Sequence, residues 1–266
     1  MKLKRLGKVV LIATLALGVL TGCSGGDSED KTIIVGASPT PHAEILEAAK
    51  PLVEEKGYTL EIKEYDDYVL PNDALADGSL DANYFQHIPY LEATVAEKDY
   101  DLTYCAKVHI EPMGVYSNTL KSLDEIEDGA KVAVPNDSTN EARALQLLAN
   151  NGLIEIKDGE LVTAKDITKN PKNLEFVEVD AAQVPTTLQD VAIAVINTNF
   201  ALNSGLNPTK DAIVIESSES PYVNIVAVRS EDKDSEKAKV LTEALNSDEV
   251  KQFIEEKYEG SIVPAF

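Results

Sequence analysis

Short apolar runs alternate with helix-like segments from Thr32 onward, and this alternation is the strongest constraint on the fold. Residues 33–37 form an apolar run of strand length, and residues 42–56 carry apolar side chains at helical spacing. The alternation continues to the end of the chain, where residues 235–246 and 248–258 form the last two helix-like segments. Strands that alternate with helices predict an α/β fold with a largely parallel sheet.

Two proline-marked crossings divide the chain. Glu111-Pro112 and Ser220-Pro221 both favour extended backbone, because a proline ring restricts the residue before it. A chain that leaves one lobe, builds a second and returns would cross at two such places. We therefore predict a first lobe over residues 32–111 and 222–266, a second lobe over 112–221, and a ligand in the cleft between them.

The N-terminus contains the three parts of an export signal in order. Basic residues precede an apolar core over 9–20, which is too short to span a bilayer as a helix. The segment Leu20-Thr21-Gly22-Cys23 then resembles the bacterial lipobox, in which the cysteine thiol is lipidated; the alternative is an ordinary signal whose cysteine is incidental. We predict a signal peptide over 1–22, lipidation of Cys23, a flexible tether over 23–31 and an extracytoplasmic site at the cell membrane.

The charge of the chain excludes several partners. Removing residues 1–22 takes away four cations and no acid, so the formal net charge of −22 becomes −26. So acidic a chain argues against nucleic acid and against electrostatic adhesion to anionic lipid. Membrane contact is therefore expected only through the acyl chains of the anchor.

Signatures of catalysis and of cofactor binding are weak. The chain has no phosphate-binding Gly-Lys-Ser/Thr loop and no Gly-x-Gly-x-x-Gly motif. Ser38 and His42 lie four residues apart, a spacing that a nucleophile and its base can have, but a turn serine before a helix is usually a cap. We predict a protein that is not an enzyme and has no cofactor, so that any transport energy comes from another subunit.

The three histidines of the chain raise the alternative that the protein binds a metal ion. His42, His87 and His109, together with Glu111, could converge on zinc or manganese. Their spacings are long, and each histidine has a structural explanation on a strand or near a helix start. The sequence therefore predicts no metal.

Arg143 points most directly to a ligand. Arg143 and Arg229 are the only arginines after residue 22. Ser138 and Glu141 have the spacing of a capping box, which would start a helix and place Arg143 in its second turn. A guanidinium near a helix N-terminus suits bidentate binding of a carboxylate. The alternative, a surface side chain paired four residues away, is weakened because neither such neighbour is acidic.

An aromatic segment over residues 83–91 forms a second candidate element. On extended backbone Phe85 and His87 face the same way, and Pro89 opens a helix that brings Tyr90 near them. Such a cluster can enclose an apolar or thioether side chain. As a bare pattern it is more often part of a core.

Asparagines form the third element. Asn197 and Asn199 follow a predicted strand over 192–196, at the end where open α/β sheets bind ligands, and Asn224 follows the second crossing. Amide oxygens accept from a ligand ammonium without adding a buried charge. Turn or cap roles are the alternative for each of them.

Several of these segments carry, in order, a resemblance to a known family. They are residues 83–91, 109–114, 135–145, 196–202 and 220–224. The chain from about residue 32 to its end resembles the methionine-binding lipoproteins of ABC importers. The resemblance implies a two-lobed periplasmic-binding-protein type II fold, in which each lobe is a mixed, mostly parallel sheet flanked by helices. It also implies a lipid-anchored monomer that captures methionine and delivers it to a permease driven by a separate ATPase.

The resemblance further implies roles for individual residues. Arg143 would take the α-carboxylate, and Asn199, favoured over Asn197, would fix the amino group together with Asn224. Glu111 would serve either the ammonium or the hinge. The residues expected around the thioether chain are Tyr68, Phe85, His87 and Tyr90.

Other functions remain open at this stage. The same architecture suits D-methionine, a methionine-containing dipeptide or another apolar amino acid. A metal-binding receptor, a secreted enzyme and a surface adhesin are further alternatives, because fold alone does not decide function.

Overall fold

Two main β-sheets, each covered by helices, and a small two-stranded antiparallel sheet form the fold in the computed structural model, which describes residues 31–266. Cys23, the predicted signal peptide and all of the predicted tether except Lys31 lie outside the described residues. In chain order the strands are β1 (Thr32–Ala37), β2 (Thr59–Glu64), β3 (Ala82–His87), β4 (Leu102–Ile110), β5 (Gly114–Tyr116), β6 (Lys131–Pro135), β7 (Glu155–Ile156), β8 (Ile167–Lys169), β9 (Glu175–Val179), β10 (Ile193–Ile196), β11 (Val214–Ile215), β12 (Val223–Arg229) and β13 (Val263–Pro264). The helices are α1 (Glu44–Glu55), α2 (Leu70–Ala76), α3 (Ile88–Lys98), α4 (Ser138–Asn150), α5 (Thr198–Asn203), α6 (Pro208–Asp211), α7 (Glu236–Leu245) and α8 (Asp248–Tyr258).

The first sheet has the strand order β13-β4-β12-β3-β1-β2. Strand β1 is parallel to β2 and β3, whereas β12 is antiparallel to both β3 and β4. Helices α1, α7 and α8 bury side chains such as Leu46, Leu245 and Ile254 in one core with Val35 of β1. Burial of this apolar surface is the main stabilising contribution to this half of the fold.

The second sheet has the order β11-β5-β10-β6-β9. Strand β6 is parallel to β9 and β10, and β5 is antiparallel to β10 and β11. Helix α4 packs Leu145 and Leu148 against Val132 and Val134 of β6. The strands of each half therefore bury their own core.

The path of the chain between the sheets explains the mixed pairing. The chain leaves the first sheet after Ile110, builds the second from β5 to β11, and returns to the first at Val223. The α/β class predicted from the alternation is confirmed. The antiparallel insertion of β12 is not predicted by alternation, since a strand that arrives from another sheet need not follow the local βαβ rule.

The lengths of the helices show whether any of them could span a membrane. Among residues 31–266, no helix combines the length and the apolar character needed to cross a bilayer.

Candidate ligand-binding site

A narrow cavity lies where the end of β3, the first turns of α3 and α4, the start of α5 and the start of β12 meet. Its volume is about 320 Å³, including the space open to solvent. Segments that belong to both sheets contribute to its wall. The lining residues are Tyr68, Phe85, Gln86, His87, Tyr90, Glu111, Asn140, Arg143, Asn197, Thr198 and Asn224.

The structure brings most of the predicted site residues to this one cavity. Those that line it are Tyr68, Phe85, His87, Tyr90, Glu111, Arg143 and Asn224. Asn199 lies one layer behind them: its Oδ1 accepts from the Tyr68 hydroxyl at 2.6 Å, and its backbone N–H donates to Glu111 Oε2 at 3.0 Å. Asn197, the less favoured asparagine, lines the wall directly.

Arg143 is buried and held by partners that are distant in sequence. Its Nε donates to Glu216 Oε1 at 3.1 Å, and its Nη2 donates to Glu216 Oε2 at 2.5 Å and to the Glu111 carbonyl oxygen at 2.7 Å. The guanidinium carbon lies 4.2 Å from the centre of the Tyr222 ring, a cation–π contact. The alternative of an exposed surface arginine is therefore wrong. Because Nε and Nη2 are occupied, Nη1 is the nitrogen left for a ligand oxygen.

The helix that carries Arg143 begins where predicted but with a different cap. Asp137 is the N-cap, and its Oδ1 accepts from the backbone N–H of Asn140 at 3.0 Å. Ser138 is already the first helical residue, and the Glu141 carboxylate accepts from the backbone N–H of Ala164 instead. The predicted capping box is therefore wrong, because a carboxylate at position 137 competes for the free N–H groups and is favoured by the helix dipole. Arg143 nevertheless lies in the second turn.

Aromatic rings form one wall of the cavity. The ring centre of Tyr68 lies 5.8 Å from that of Phe85 and 5.7 Å from that of Tyr90, and it lies 4.8 Å from Phe200 behind it. These separations are typical of tilted and edge-to-face pairs, which add to the free energy gained by burial. Pro89 stands at the start of α3, as predicted, so that Tyr90 comes round beside Phe85.

Buried histidines hold the Glu111 carboxylate beside the cavity. Glu111 Oε1 lies 2.7 Å from His109 Nε2 and 3.2 Å from His42 Nε2. A carboxylate only accepts, so His109 carries its proton on Nε2, and its Nδ1 accepts from the Tyr84 hydroxyl. His42 Nε2 donates instead to Asn224 Oδ1 at 3.0 Å. Burial lowers the pKa of His42 to about 4 and that of His109 to about 3, so both are neutral near pH 7. Burial raises the pKa of Glu111, and the charge of Arg143, together with that of His42 when it is protonated, opposes that rise.

The histidine cluster differs from the metal set that the sequence suggests. Donor atoms of His42, His109 and Glu111 all lie within 4.8 Å of one another. His87 is not among them, because its Nε2 lies 3.1 Å from Asn140 Oδ1 and its Nδ1 accepts from the backbone N–H of Tyr90. The 2.7 Å separation of His109 and Glu111 is a hydrogen-bond length, so these two groups satisfy one another directly, and His42 is paired with Asn224.

Asparagine and glutamine side chains complete the wall. Asn140 and Gln86 line the cavity, although sequence reasoning did not single them out. Asn140 lies three residues before Arg143, on the same face of α4, and that spacing is the signal that would have found it. Gln86 is held by Asn72 and Asn83, two buried amides whose pairing has no signal in the sequence.

Comparison with known proteins places this geometry in a family. The methionine-binding lipoprotein MetQ of Bacillus subtilis strain 168 is 46% identical in an alignment of 275 positions, gaps included, which covers 99% of each chain. The D-methionine-binding lipoprotein MetQ of Escherichia coli K12 is 43% identical, over 95% of this chain and 94% of its own. A solved structure of a nutrient binding protein from Burkholderia cenocepacia, bound to methionine, is 47% identical with a TM-score of 0.86, over 88% of this chain and 100% of that one.

A family model agrees with these relatives over almost the whole described chain. Residues 33–266 match the model described as NlpA lipoprotein. The match begins within β1 and ends at the last residue, so it includes every residue that lines the cavity. The chain belongs to the NlpA lipoprotein family.

Proposed function

We propose that this protein is a substrate-binding protein that captures methionine and delivers it to an ABC importer. The observation that carries the proposal is a single cavity that combines a buried guanidinium, amide and carboxylate acceptors and an aromatic wall. A free α-amino acid with an apolar side chain has groups complementary to all three. The names of the similar proteins, one of them solved with methionine bound, support this ligand.

Arg143 is the proposed anchor of the α-carboxylate. It lines the cavity with its side chain only 3% exposed, and Glu216 and the Glu111 carbonyl hold the guanidinium in one orientation. A fixed guanidinium loses little conformational entropy when it binds an anion. The Nη1 group is the donor that the ligand carboxylate would meet.

Glu111, Asn199 and Asn224 are proposed to form the ammonium side of the cavity. Asn224 Oδ1 lies 3.0 Å from His42 Nε2, and the same histidine contacts Glu111, so the three groups form one connected network. Asn199 joins it through its backbone N–H. A buried carboxylate is a strong partner for an ammonium, since a charge-assisted hydrogen bond exceeds a neutral one.

The thioether side chain is proposed to lie against Tyr68, Phe85, His87 and Tyr90. Sulfur contacts with ring edges contribute about 0.3–1.5 kcal/mol each. Burial raises the pKa of Tyr68, which therefore keeps its hydroxyl proton, the one that it donates to Asn199, at neutral pH.

We further propose a hinged, two-lobed action. The first lobe would comprise residues 32–111 and 222–266, and the second would comprise 112–221. The two chain passages beside Pro112 and Pro221 would act as hinges, and closure on the ligand would be the state that the permease recognises. A monomer suffices for this action, and the proposal requires no catalysis and no cofactor.

The place of action is proposed to be the outer face of the cell membrane, with lipid on Cys23 as the anchor. Changing Cys23 to alanine should move the protein from the membrane fraction to the soluble fraction. Persistence of the variant in the membrane fraction would contradict anchoring through this thiol.

Calorimetric titration of the full chain in detergent, refolded from denaturant to remove carried ligand, tests the binding function. We expect saturable 1:1 binding of L-methionine, with weaker binding of leucine. Arg143→Ala should reduce the affinity by about 2–5 kcal/mol, because it removes one partner of a buried charged pair. Arg229→Ala is the matched control, since that arginine donates to the Leu75 and Leu80 carbonyls away from the cavity. No heat with methionine would overturn the proposal.

The same titration distinguishes the enantiomers and longer ligands. Relatives named for D-methionine make that enantiomer the second candidate. A preference for D-methionine would keep the receptor function and change the ligand. Tighter binding of a methionine-containing dipeptide would instead indicate a longer cleft than the free amino acid needs.

A further inference from the structure

Asn197 lines the proposed ligand cavity and carries a buried acceptor that no other described residue uses. Asn197 lines the cavity and is 6% exposed, and its Oδ1 has no hydrogen-bond partner among residues 31–266. Its Nδ2 donates to Asn140 Oδ1 at 2.8 Å. An unpaired buried carbonyl is costly, so its persistence in a binding cavity indicates a partner that arrives with the ligand.

The polarity of this amide is fixed from one side by Asp137. Asn140 Nδ2 lies 3.0 Å from Asp137 Oδ1 and 3.1 Å from Asp137 Oδ2. Both are carboxylate oxygens, which accept, so the nitrogen of the Asn140 amide must face Asp137 and its oxygen must face Asn197. Because the Asn140 oxygen accepts, the atom of Asn197 that contacts it must be the donor, Nδ2. The Asn197 oxygen is therefore the atom left over.

The same polarity is fixed independently from the other side by His87. The backbone N–H of Tyr90 donates to His87 Nδ1, so the ring carries its proton on Nε2. His87 Nε2 lies 3.1 Å from Asn140 Oδ1 and donates to it. Two unrelated constraints thus require the same orientation of Asn140.

Asn199 lacks such a constraint. Its amide bonds the Tyr68 hydroxyl, which can donate or accept, and its Nδ2 has no partner among the described residues. The amide of Asn199 can therefore adapt to a ligand donor or to a ligand acceptor. Asn197 can offer only an acceptor.

We propose that Asn197 Oδ1 is a specificity-determining acceptor for the amino group of the ligand, and that Asp137 and Asn140 are positioning residues that fix its polarity. The assignment rests on the proposed amino-acid ligand. It predicts that the cavity selects for a hydrogen-bond donor on the α-carbon and rejects the same molecule without one. A site built around a buried polar group discriminates in this way because the group stays unpaired with the wrong ligand.

The test compares L-methionine with 4-(methylsulfanyl)butanoate, which differs only by lacking the α-amino group. Affinities of both compounds are measured by calorimetry for the native chain, Asn197→Ala and a matched control, Asn203→Ala, an exposed position at the end of α5, the helix that Asn197 precedes. We expect Asn197→Ala to weaken methionine at least about tenfold and the analogue less than about threefold, since hydrogen bonds to charged groups have this strength. Asn203→Ala should change neither affinity.

The positioning role is tested with Asn140→Ala, alone and combined with Asn197→Ala. Alone it should lower the ratio of the methionine affinity to the analogue affinity, because the Asn197 amide is then free to rotate. When Asn197→Ala is already present, Asn140→Ala should leave the ratio of the two affinities unchanged. If Asn140→Ala acted only by disturbing the structure, the ratio would change whether or not Asn197 is present. Asn140→Ala also supplies the test if Asn197→Ala does not fold.

The outcomes separate this assignment from the function on which it rests. Equal weakening of both compounds by Asn197→Ala, or no weakening of either, would overturn the role of Asn197 and leave methionine binding intact. A further change of ratio in the double variant would overturn the positioning role of Asn140. Failure of the native chain to bind methionine would overturn the proposed function, and the assignment with it.

Discussion

Arg143 and Glu216 form a two-point ion pair beside the cavity, although they lie 73 residues apart in sequence. Arg143 projects from α4, and Glu216 follows the edge strand β11. The Glu216 carboxylate also accepts from the backbone N–H of Met113. The pair therefore joins the helix that carries the proposed anchor to the segment where the chain enters the second sheet.

Neutralising Glu216 should destabilise the protein. In Glu216→Gln the buried guanidinium loses its charged partner, and we expect the free energy of unfolding to fall by about 1–3 kcal/mol, less than for a fully buried pair because the Glu216 side chain is 16% exposed. Urea denaturation measures the change. Glu219→Gln, at an exposed position three residues on, is the control and should be neutral. Equal stabilities of the two variants would show that the pair contributes nothing.

The Tyr68 hydroxyl should contribute to binding through its hydrogen bond to Asn199. Tyr68→Phe keeps the contacts with Phe85 and Phe200 but leaves Asn199 Oδ1 without its donor. We expect methionine affinity to fall by about 0.5–1.5 kcal/mol, the net contribution of one hydrogen bond. Tyr116→Phe is the matched control, because the buried Tyr116 hydroxyl has no partner within residues 31–266. Similar losses in both variants would contradict a specific role for the Tyr68 hydroxyl.

Acid should destabilise the fold through its buried histidines. Burial lowers the pKa of His87 to about 3 from 6.5, so the unfolded chain binds the proton more readily and stability falls as the pH drops below about 6.5. His42 and His109, with pKa values of about 4 and about 3, act in the same direction. Glu111, whose pKa is raised by burial, acts in the opposite direction, since the folded state then binds its proton more readily.

A single variant isolates the contribution of one histidine. Between pH 7 and pH 5, His87→Gln should lose about 2 kcal/mol less stability than the native chain, because one group that resists protonation is gone. Urea denaturation at the two pH values gives the difference, and comparing the two proteins cancels the carboxylate contribution. Parallel pH profiles would mean that the His87 ring is not held neutral by the fold.

Zinc should leave the protein unchanged. The Nε2–H of His109 donates to Glu111 and that of His42 donates to Asn224, so a metal ion bound at these nitrogens would have to displace two protons and the bonds that they make. We expect the midpoint of thermal unfolding to stay the same with added zinc and with a chelator. A zinc-dependent rise that is lost in His109→Gln would instead identify a metal site.

The alternation of strands and helices predicts the class of the fold because each element carries its own periodicity. Arg143 and the segment around Phe85 could be singled out for the same reason, since their signals are local: a scarce residue type near a helix start, and an aromatic cluster around a proline. Glu216 and the link from Asn140 to Asn197 could not be predicted. They depend on contacts between distant segments, and no spacing in the sequence encodes which loop meets which.

The position of β12 sets the order in which the fold can be completed. This strand pairs on both sides, with β3 and with β4, yet it is supplied by residues 223–229, after the whole second sheet. During synthesis from the N-terminus, the edges of β3 and β4 that pair with β12 therefore lack their native partner until more than four-fifths of the chain has been made. Any truncation before residue 223 removes the strand that joins β3 to β4. Incomplete and truncated chains therefore both leave one edge of each strand open to pairing with another chain.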